Sequence, residues 1–367
     1  MKERTNILIP DGDSTWALSV LQCLSHSDGI NTFVLSNKKR TAVKYSKYVA
    51  NYTYYERPDD SGWVAIINSE IEKHSIAVVV PVAELEIFFF IKNKDQISGA
   101  VKIIPLPNLK DFEIAINKRQ LGDFAKAHNI PHPSSFYIAS ETDKHRVLSQ
   151  IHFPILIKPL SAKGGDGIDK INSRTEFQNY LERTNVALYA QEYIEGYDID
   201  CSVLCLDGEI LSYTIQKGDL KGHHDYAPQL AFDFFKNQEV YDLAKLTMSK
   251  LNWSGVAHLD MRYDTKTSGY KLIEINARFW GSVEGSLFAG INFPREIVRL
   301  ALNQGVINKE AGDFHYMRLK GVVKSIRKNP LFIFKKDYLM NNTEAKTFFK
   351  DPLPMLYKFT EWMGRLF

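Results

Sequence analysis

The chain has 367 residues, 44% hydrophobic and 24% charged, a make-up that excludes disordered and fibrous classes and suits two or three globular domains. A net charge of +3 does not point to nucleic acid. The most apolar run, 76–91, is interrupted by Glu84 and Glu86 and is too short to cross a bilayer, so no transmembrane segment is expected.

The first residues lack the apolar core of a signal peptide. Cys23, Cys201 and Cys205 form no CxxC pair, so they read as core thiols in a reducing, cytoplasmic setting. Residues 6–10 form a short apolar strand, Asp11-Gly12-Asp13-Ser14 a loop with an N-cap signal, and 16–24 a helix. Further strands at 32–36, 76–81 and 101–105 alternate with helical stretches, which predicts a parallel sheet and a Rossmann-like α/β domain over 1–107. No GxGxxG follows the first strand, so a dinucleotide site is not assigned. Asp11 and Asp13 read as turn and cap rather than ligands. Glu84 stands just past the third strand, where open parallel sheets bind ligands.

Pro105 and Pro107 punctuate a linker, and 111–128 reads as one helix carrying Lys118. The buried strand 155–157 delivers Lys158 at its end, and a cation abutting an apolar strand needs an anionic partner. The run Ser161-Ala162-Lys163-Gly164-Gly165-Asp166-Gly167 follows. Its glycines let backbone N–H groups approach an anion closely, so it reads as a phosphate-covering loop or as a plain glycine-rich hairpin. It is not a Walker A loop. The strand 188–196 ends in a turn. A strand passing a nucleobase can clamp adenine with one carbonyl and one N–H, and a carboxylate a few residues on, here Asp198, can take ribose hydroxyls. A hairpin spans Asp207-Gly208. The polar stretch 216–226 holds His223 and His224, whose side chains diverge on a strand; it reads as a substrate, phosphate or surface loop rather than a zinc pair.

After an amphipathic helix at 238–251, the strand 255–262, a polar turn and the strand 270–275 form a second hairpin. Glu274 and Asn276 are two apart and share a face. Asp260 reaches the same region from the neighbouring strand. Hard oxygen donors converging in this way suit Mg²⁺, and two close carboxylates without a cation would repel. The alternative is a strand with a solvent-facing polar edge. Arg278 lies just beyond, Glu284 sits among small residues at 281–289, and 294–302 is helical. In 318–336 basic residues mix with Leu331, Phe332, Ile333 and Phe334. A packed C-terminal appendage with a solvated basic side is preferred over peripheral contact with an anionic membrane. Asp351-Pro352-Leu353-Pro354 is a rigid turn before a final aromatic helix.

The ordered set Lys118, Lys158-Pro159, the 164–167 loop, 191–196, Asp260 and Glu274-x-Asn276-x-Arg278 resembles the ATP-grasp superfamily over residues 1–305. The resemblance is to its carbamoyl-phosphate-synthase-like and biotin-carboxylase-like branch. It implies an α/β (α+β) ATP-grasp fold: a Rossmann-like domain at 1–107, an ATP-grasp domain at 108–305 with a mobile lid near 135–192, and an appendage at 306–367. By resemblance, Lys118 and Lys158 contact the ATP phosphates, Gly164, Gly165 and Gly167 cover them, and Gln191, Glu192, Tyr193 and Ile194 hold adenine. Gln191 stands where several members carry Glu, and Asp198 takes the ribose position. Asp260, Glu274 and Asn276 hold two Mg²⁺ ions, with Mn²⁺ as a substitute. Arg278, Lys158 and Asn276 are the catalytic set, and Lys217 and Arg262 match substrate-facing basic positions. The implied chemistry is a carboxylate–amine ligation: a carboxylate attacks the γ-phosphorus of ATP, and an amine attacks the resulting acyl-phosphate. Small-molecule carboxylate and amine partners and a homodimer are expected. A small-molecule kinase and a non-catalytic nucleotide-binding protein are the alternatives, the intact Asp260, Glu274, Asn276 set speaking against the latter. Biotin carboxylation is disfavoured, since the chain has no Met-Lys carrier segment, and a full carbamoyl-phosphate synthase needs two such halves.

Overall fold

The computed structural model describes residues 4–159, 167–184, 187–222, 227–307 and 311–364. The first stretch runs β1 (Thr5–Ile9), α1 (Ala17–Leu24), β2 (Ile30–Ser36), a 3-10 turn at Ala42–Tyr45, β3 (Val49–Tyr54), α2 (Asp60–Lys73), β4 (Val78–Val79), α3 (Glu84–Asn93) and β5 (Lys102–Ile103). These strands build a five-stranded parallel sheet in the order β3-β2-β1-β4-β5. Ile7, Leu8 and Ile9 are all buried, as helices on both faces of a parallel sheet require. The sequence missed β3. This edge strand reads VANYTY and buries none of its residues fully, so it lacks the apolar run that marked the others. Asp11 caps a neighbouring loop, its carboxylate accepting from the N–H groups of Val82 at 3.1 Å and Ala83 at 2.7 Å.

The expected single helix at 111–128 is two helices, α4 (Leu109–Ile116) and α5 (Lys118–Ala127). Asn117 between them is extended, and its side chain accepts from the N–H groups of Arg119 and Gln120. Asparagine favours such N-caps over helix interiors, so Lys118 opens a helix rather than riding mid-helix. The chain then forms β6 (Ser135–Ile138), α6 (Glu141–Gln150), β7 (Ile155–Pro159), β8 (Asp169–Ile171), α7 (Arg174–Glu182) and β9 (Leu188–Glu192). The four strands pair antiparallel in the order β6-β9-β7-β8. Ile155, Ile157, Phe177 and Ala190 centre a core of their own. Gly164 and Gly165 lie outside the described residues. Gly167 is described, with φ of 70°, a left-handed backbone that glycine adopts without penalty.

The remaining elements are β10 (Gly196–Leu206), β11 (Glu209–Leu220), β12 (Ala231–Phe234), α8 (Gln238–Lys250), β13 (Gly255–Asp264), β14 (Gly269–Asn276), α9 (Val283–Phe288), α10 (Phe293–Ala301), β15 (Phe314–Met317), α11 (Leu319–Lys328), α12 (Lys336–Asn341), α13 (Ala345–Lys350) and α14 (Leu353–Gly364). Their strands form a six-stranded antiparallel sheet, β14-β13-β10-β11-β12-β15. Asp207 and Gly208 both have positive φ, the geometry that a two-residue hairpin needs. Alternation along the strands, shifted at two bulges, gives the sheet one apolar face, where Cys201, Val203, Leu259, Met261 and Leu272 pack with Phe112 of α4 and Val240 of α8. The three cysteines are buried and free, as expected. The 306–367 stretch is joined to the rest: β15 pairs with β12, and α14 lies on the 3-10 turn at Ala42–Tyr45, where the Tyr45 and Tyr357 rings stack at 4.7 Å. Among the described residues no helix is long and apolar enough to cross a membrane.

Candidate active site

The register of four strands builds the polar face of the large sheet. Asp260 on β13 lies opposite Glu274 on β14 and opposite Asp200 on β10, and Asp200 lies opposite Gln216 on β11. One row further along, Asn276, His258, Ser202 and Thr214 face one another in the same way. Directly opposed residues share a face. A bulge sharpens the arrangement: Asp260 pairs with Glu274, but Met261 pairs with Leu272. The extra residue, Ile273, lets Leu272 stay in the core while Glu274 and Asn276 turn to the polar side.

Hydrogen bonds lock the rows. Asn276 Nδ2 donates to Asp260 Oδ1 at 3.2 Å, and Arg278 donates to Asn276 Oδ1 at 2.7 Å. The Arg278 guanidinium also donates to the Phe279 carbonyl, lies 3.8 Å from the Trp16 ring centroid and stands 3.6 Å from Glu84 Oε1. Two of the groups that hold this arginine thus come from helix starts beside the parallel sheet, Trp16 just before α1 and Glu84 at the first residue of α3. His258 Nε2 lies 3.3 Å from Asp260 Oδ1 and 3.8 Å from Asp200 Oδ2. Its Nδ1 is 2.8 Å from Ser202 Oγ, and its ring stacks on Trp280. Gln216 donates to Asp200 Oδ2 at 3.0 Å and accepts from Ser282 Oγ at 2.8 Å, which uses both ends of its amide.

Electrostatics mark a face short of positive charge. Burial pushes the Asp200 carboxyl up to about 7, against the hydrogen bond from Gln216 and with help from the Asp198 and Glu274 carboxylates. Burial, with Glu274 and Asp200, also pushes Asp260 upward. Burial and the Arg278 cation hold His258 down near 3, so its imidazole is neutral and able to ligate. One ligand atom each from Asp200, His258 and Asp260 lies within 4.8 Å of the others. A divalent cation would relieve clustered carboxylates that resist ionisation; the oxygens of Asp200 and Asp260 suit Mg²⁺, whereas the His258 imidazole is not a ligand that Mg²⁺ favours. The sequence names Asp260, Glu274 and Asn276 as candidate ligands; the structure places Asp200 and His258 beside Asp260 as well. Period two from Asp198 and from Asp260 would have found both.

The structure brings the two lysines to this face. Lys118 Nζ stands 4.0 Å from Glu274 Oε2. Lys158 is 8% exposed and donates to Gln191 Oε1 at 2.7 Å; burial lowers its pKa, with Glu274 opposing. The Gln191 oxygen is thus held by Lys158. Glu192 accepts from the Ser134 N–H and pairs with Lys271 at 3.4 Å. The Tyr193 N–H donates to the Pro154 carbonyl, and its ring lies 3.7 Å from Lys170 Nζ. Arg262 braces the turn that follows, donating to the carbonyls of Ile194 at 2.7 Å and Gly196 at 2.8 Å and pairing with Asp198. It therefore stiffens the strand connection instead of facing open space. Lys217 lies 3.8 Å above the Tyr197 ring. His223 and His224 lie outside the described residues.

Comparison with known proteins bears on the fold. The family model described as "ATP-grasp in the biosynthetic pathway with Ter operon" matches residues 184–324. The D-aspartate ligase of Enterococcus faecium (strain Aus0004) is 26% identical over a match that covers 39% of this chain and 38% of that protein; the chain therefore matches well under half the length of this curated relative. Two solved structures share the architecture. The biotin carboxylase domain of Hydrogenobacter thermophilus 2-oxoglutarate carboxylase, in complex with MgADP, ADP and bicarbonate, superposes with a TM-score of 0.66 at 15% identity, covering 86% of this chain and 74% of that one. An L-amino acid ligase from Bacillus licheniformis gives 0.60 at 16% identity, covering 84% and 76%. With its parallel sheet, its four-stranded sheet and its polar-faced antiparallel sheet in this order, the chain has the ATP-grasp fold, and its residues 184–324 match an ATP-grasp family model.

Proposed function

We propose that the chain is an ATP-dependent ligase that converts a small-molecule carboxylate to an acyl-phosphate, which an amine then attacks, releasing ADP and phosphate. The observation that carries this reading is the acidic row Glu274, Asp260 and Asp200 with Lys118 and Lys158 beside it and Arg278 at its end. Phosphoryl transfer needs placement and charge neutralisation more than covalent help from the protein.

Asp260, Glu274 and Asn276 would hold two Mg²⁺ ions, or Mn²⁺, with Asp200 and His258 beside them, and the metal when bound neutralises phosphate charge. Lys118 and Lys158 approach the phosphates. Gln191, Glu192, Tyr193 and Ile194 hold the base, with the Ile194 N–H as donor, and Asp198 takes the ribose. Gly164, Gly165 and Gly167 cover the phosphates. The four-stranded sheet acts as a lid over roughly 135–192 that keeps water from the acyl-phosphate. Arg278, fixed by Asn276, Trp16 and Glu84, faces the transferring phosphoryl group and stabilises the charge that develops there. Glu84 beside it suits an incoming amine. In this reading 1–107 and 108–305 share the site, 306–367 flanks it, and the protein works in the cytoplasm as a homodimer.

The D-aspartate ligase and L-amino acid ligase relatives make amino acids the first substrate class to try. Paired amino acids and small carboxylates, screened for Mg²⁺-dependent ADP release, should yield an amide product. Glu274→Ala should lose about 10²-fold or more in turnover, the scale of a lost preorganised charge; normal rates in that variant would overturn the metal assignment. ADP release with a stable phosphorylated product would instead identify a kinase, and tight nucleotide binding with no turnover a scaffold.

A further inference from the structure

The segment Arg327-Lys328-Asn329-Pro330-Leu331-Phe332-Ile333-Phe334-Lys335-Lys336 has no part in the site described. It joins α11 to α12 through a 3-10 turn at Pro330–Phe334 that buries none of its residues. Leu331 is 68% exposed, Ile333 53% and Phe334 73%. The turn is nonetheless built. The Leu331 N–H donates to Asn329 Oδ1 at 3.1 Å, and Phe332 packs against the Tyr338 ring at 5.7 Å. Phe332 holds the turn down while its neighbours stand out. Exposed cations flank this apolar tip on both sides, and Asp337 is the one acid between positions 327 and 337. The preferred reading of this region as a packed appendage accounts for Val322, buried beside Met317, but not for the turn.

We infer that this turn is an interfacial anchor that seats the protein on an anionic lipid surface. Charge decides between candidate occupants. A second copy docking the same face would set like charges against each other. One turn also falls far short of the roughly 1,000 Å² that a stable protein interface buries. An anionic bilayer meets both halves of the pattern: the headgroup boundary accepts Leu331, Ile333 and Phe334, and lipid phosphates take the cations. Lysine stems can lie along the apolar boundary with their ammonium groups in water.

Flotation of the full chain with phosphatidylglycerol-containing vesicles, against phosphatidylcholine alone, tests this. The protein should float with the anionic vesicles, much less with the neutral ones, and less as salt rises. The double variant Lys335→Glu/Lys336→Glu should bind at least about 20-fold more weakly, since each lost cation near the surface is worth about fivefold. Leu331→Ser/Phe334→Ser should abolish flotation and leave ADP release in vesicle-free solution unchanged. Phe334→Trp should show blue-shifted emission on adding anionic vesicles. The inference is overturned if the wild type stays with the unbound fraction, if the Ser variant floats as well as the wild type, or if the Trp emission does not move. Vesicle-free self-association that the Ser variant abolishes would also overturn it, in favour of a protein interface.

Discussion

In the proposed site, Asp200 sets stability against function within one side chain. It is pushed to about 7 by burial and by the carboxylates beside it, so without a cation the fold holds an acid where an amide would sit at lower cost. Asp200→Asn keeps the shape and the contact with Gln216 while removing a charge. The metal-free variant should melt no lower than the wild type, yet its Mg²⁺-dependent ADP release should fall by about tenfold or more. Thermal melts with and without Mg²⁺, beside a turnover assay, separate the two effects. A variant that melts lower and turns over normally would remove Asp200 from the site. Glu274 makes the opposite point: it lies at the sheet edge, 4.0 Å from Lys118, and its replacement in the Glu274→Ala test should cost activity more than stability.

At the scale of elements, two junctions can be tested. Asn117 ends α4 and caps α5, accepting from the Arg119 N–H at 3.0 Å and the Gln120 N–H at 3.1 Å. Asn117→Ala should cost about 1 kcal/mol in urea denaturation and raise the KM for ATP, because Lys118 is the first residue of α5. An unchanged midpoint would show that the break is held by packing instead. The second junction joins α9 to α13. Glu284 is 3% exposed, accepts from Thr347, and is pushed up to about 8 by burial and by Glu344, with Arg318 and Lys358 opposing. Its folded pKa lies above its unfolded value, near 4.3. The folded state therefore holds the extra proton between these values, and stability drains away as pH rises from about 4 to 8. Glu284→Gln removes that loss and keeps the acceptor for Thr347. Its melting temperature relative to wild type should rise steadily between pH 5 and pH 8, by the equivalent of about 1 kcal/mol or more. A pH-independent difference would refute the linkage.

Across the whole molecule, a buried acid ties the C-terminal helices back to the loop that precedes β3. Asp351, 1% exposed, accepts from Ser46 Oγ and from the Lys47 N–H. Asp351→Ala strands those donors and should cost about 2 kcal/mol. Proteolysis in α14 should then run ahead of global unfolding. If cleavage there stays as slow as in the wild type, the Tyr45–Tyr357 stack and its surroundings hold the helix without Asp351.

The sequence by itself determined what short-range rules reach. Apolar β-branched runs marked β1, β2 and β4; the Asp207-Gly208 turn marked a hairpin; and period two put Glu274 and Asn276 on one face, with Lys158 at the end of a buried strand. The ordered set of motifs was enough for the superfamily. It did not reveal β3, whose edge position lets it carry polar residues, or the helix break at Asn117, where a side-chain cap outweighs the pattern of a longer helix. Tertiary structure alone decided which residues of separate strands stand opposite one another. Strand register across β14, β13, β10 and β11 is fixed by which side chains the core will accept, and the bulge at Asp260/Met261 shifts that register by one residue. That is why Asp200 joins the acidic row and His258 stands in the row beside it, why Arg262 is drawn into bracing the connection at Ile194, and why Trp16 and Glu84, more than 190 residues away in sequence, hold Arg278.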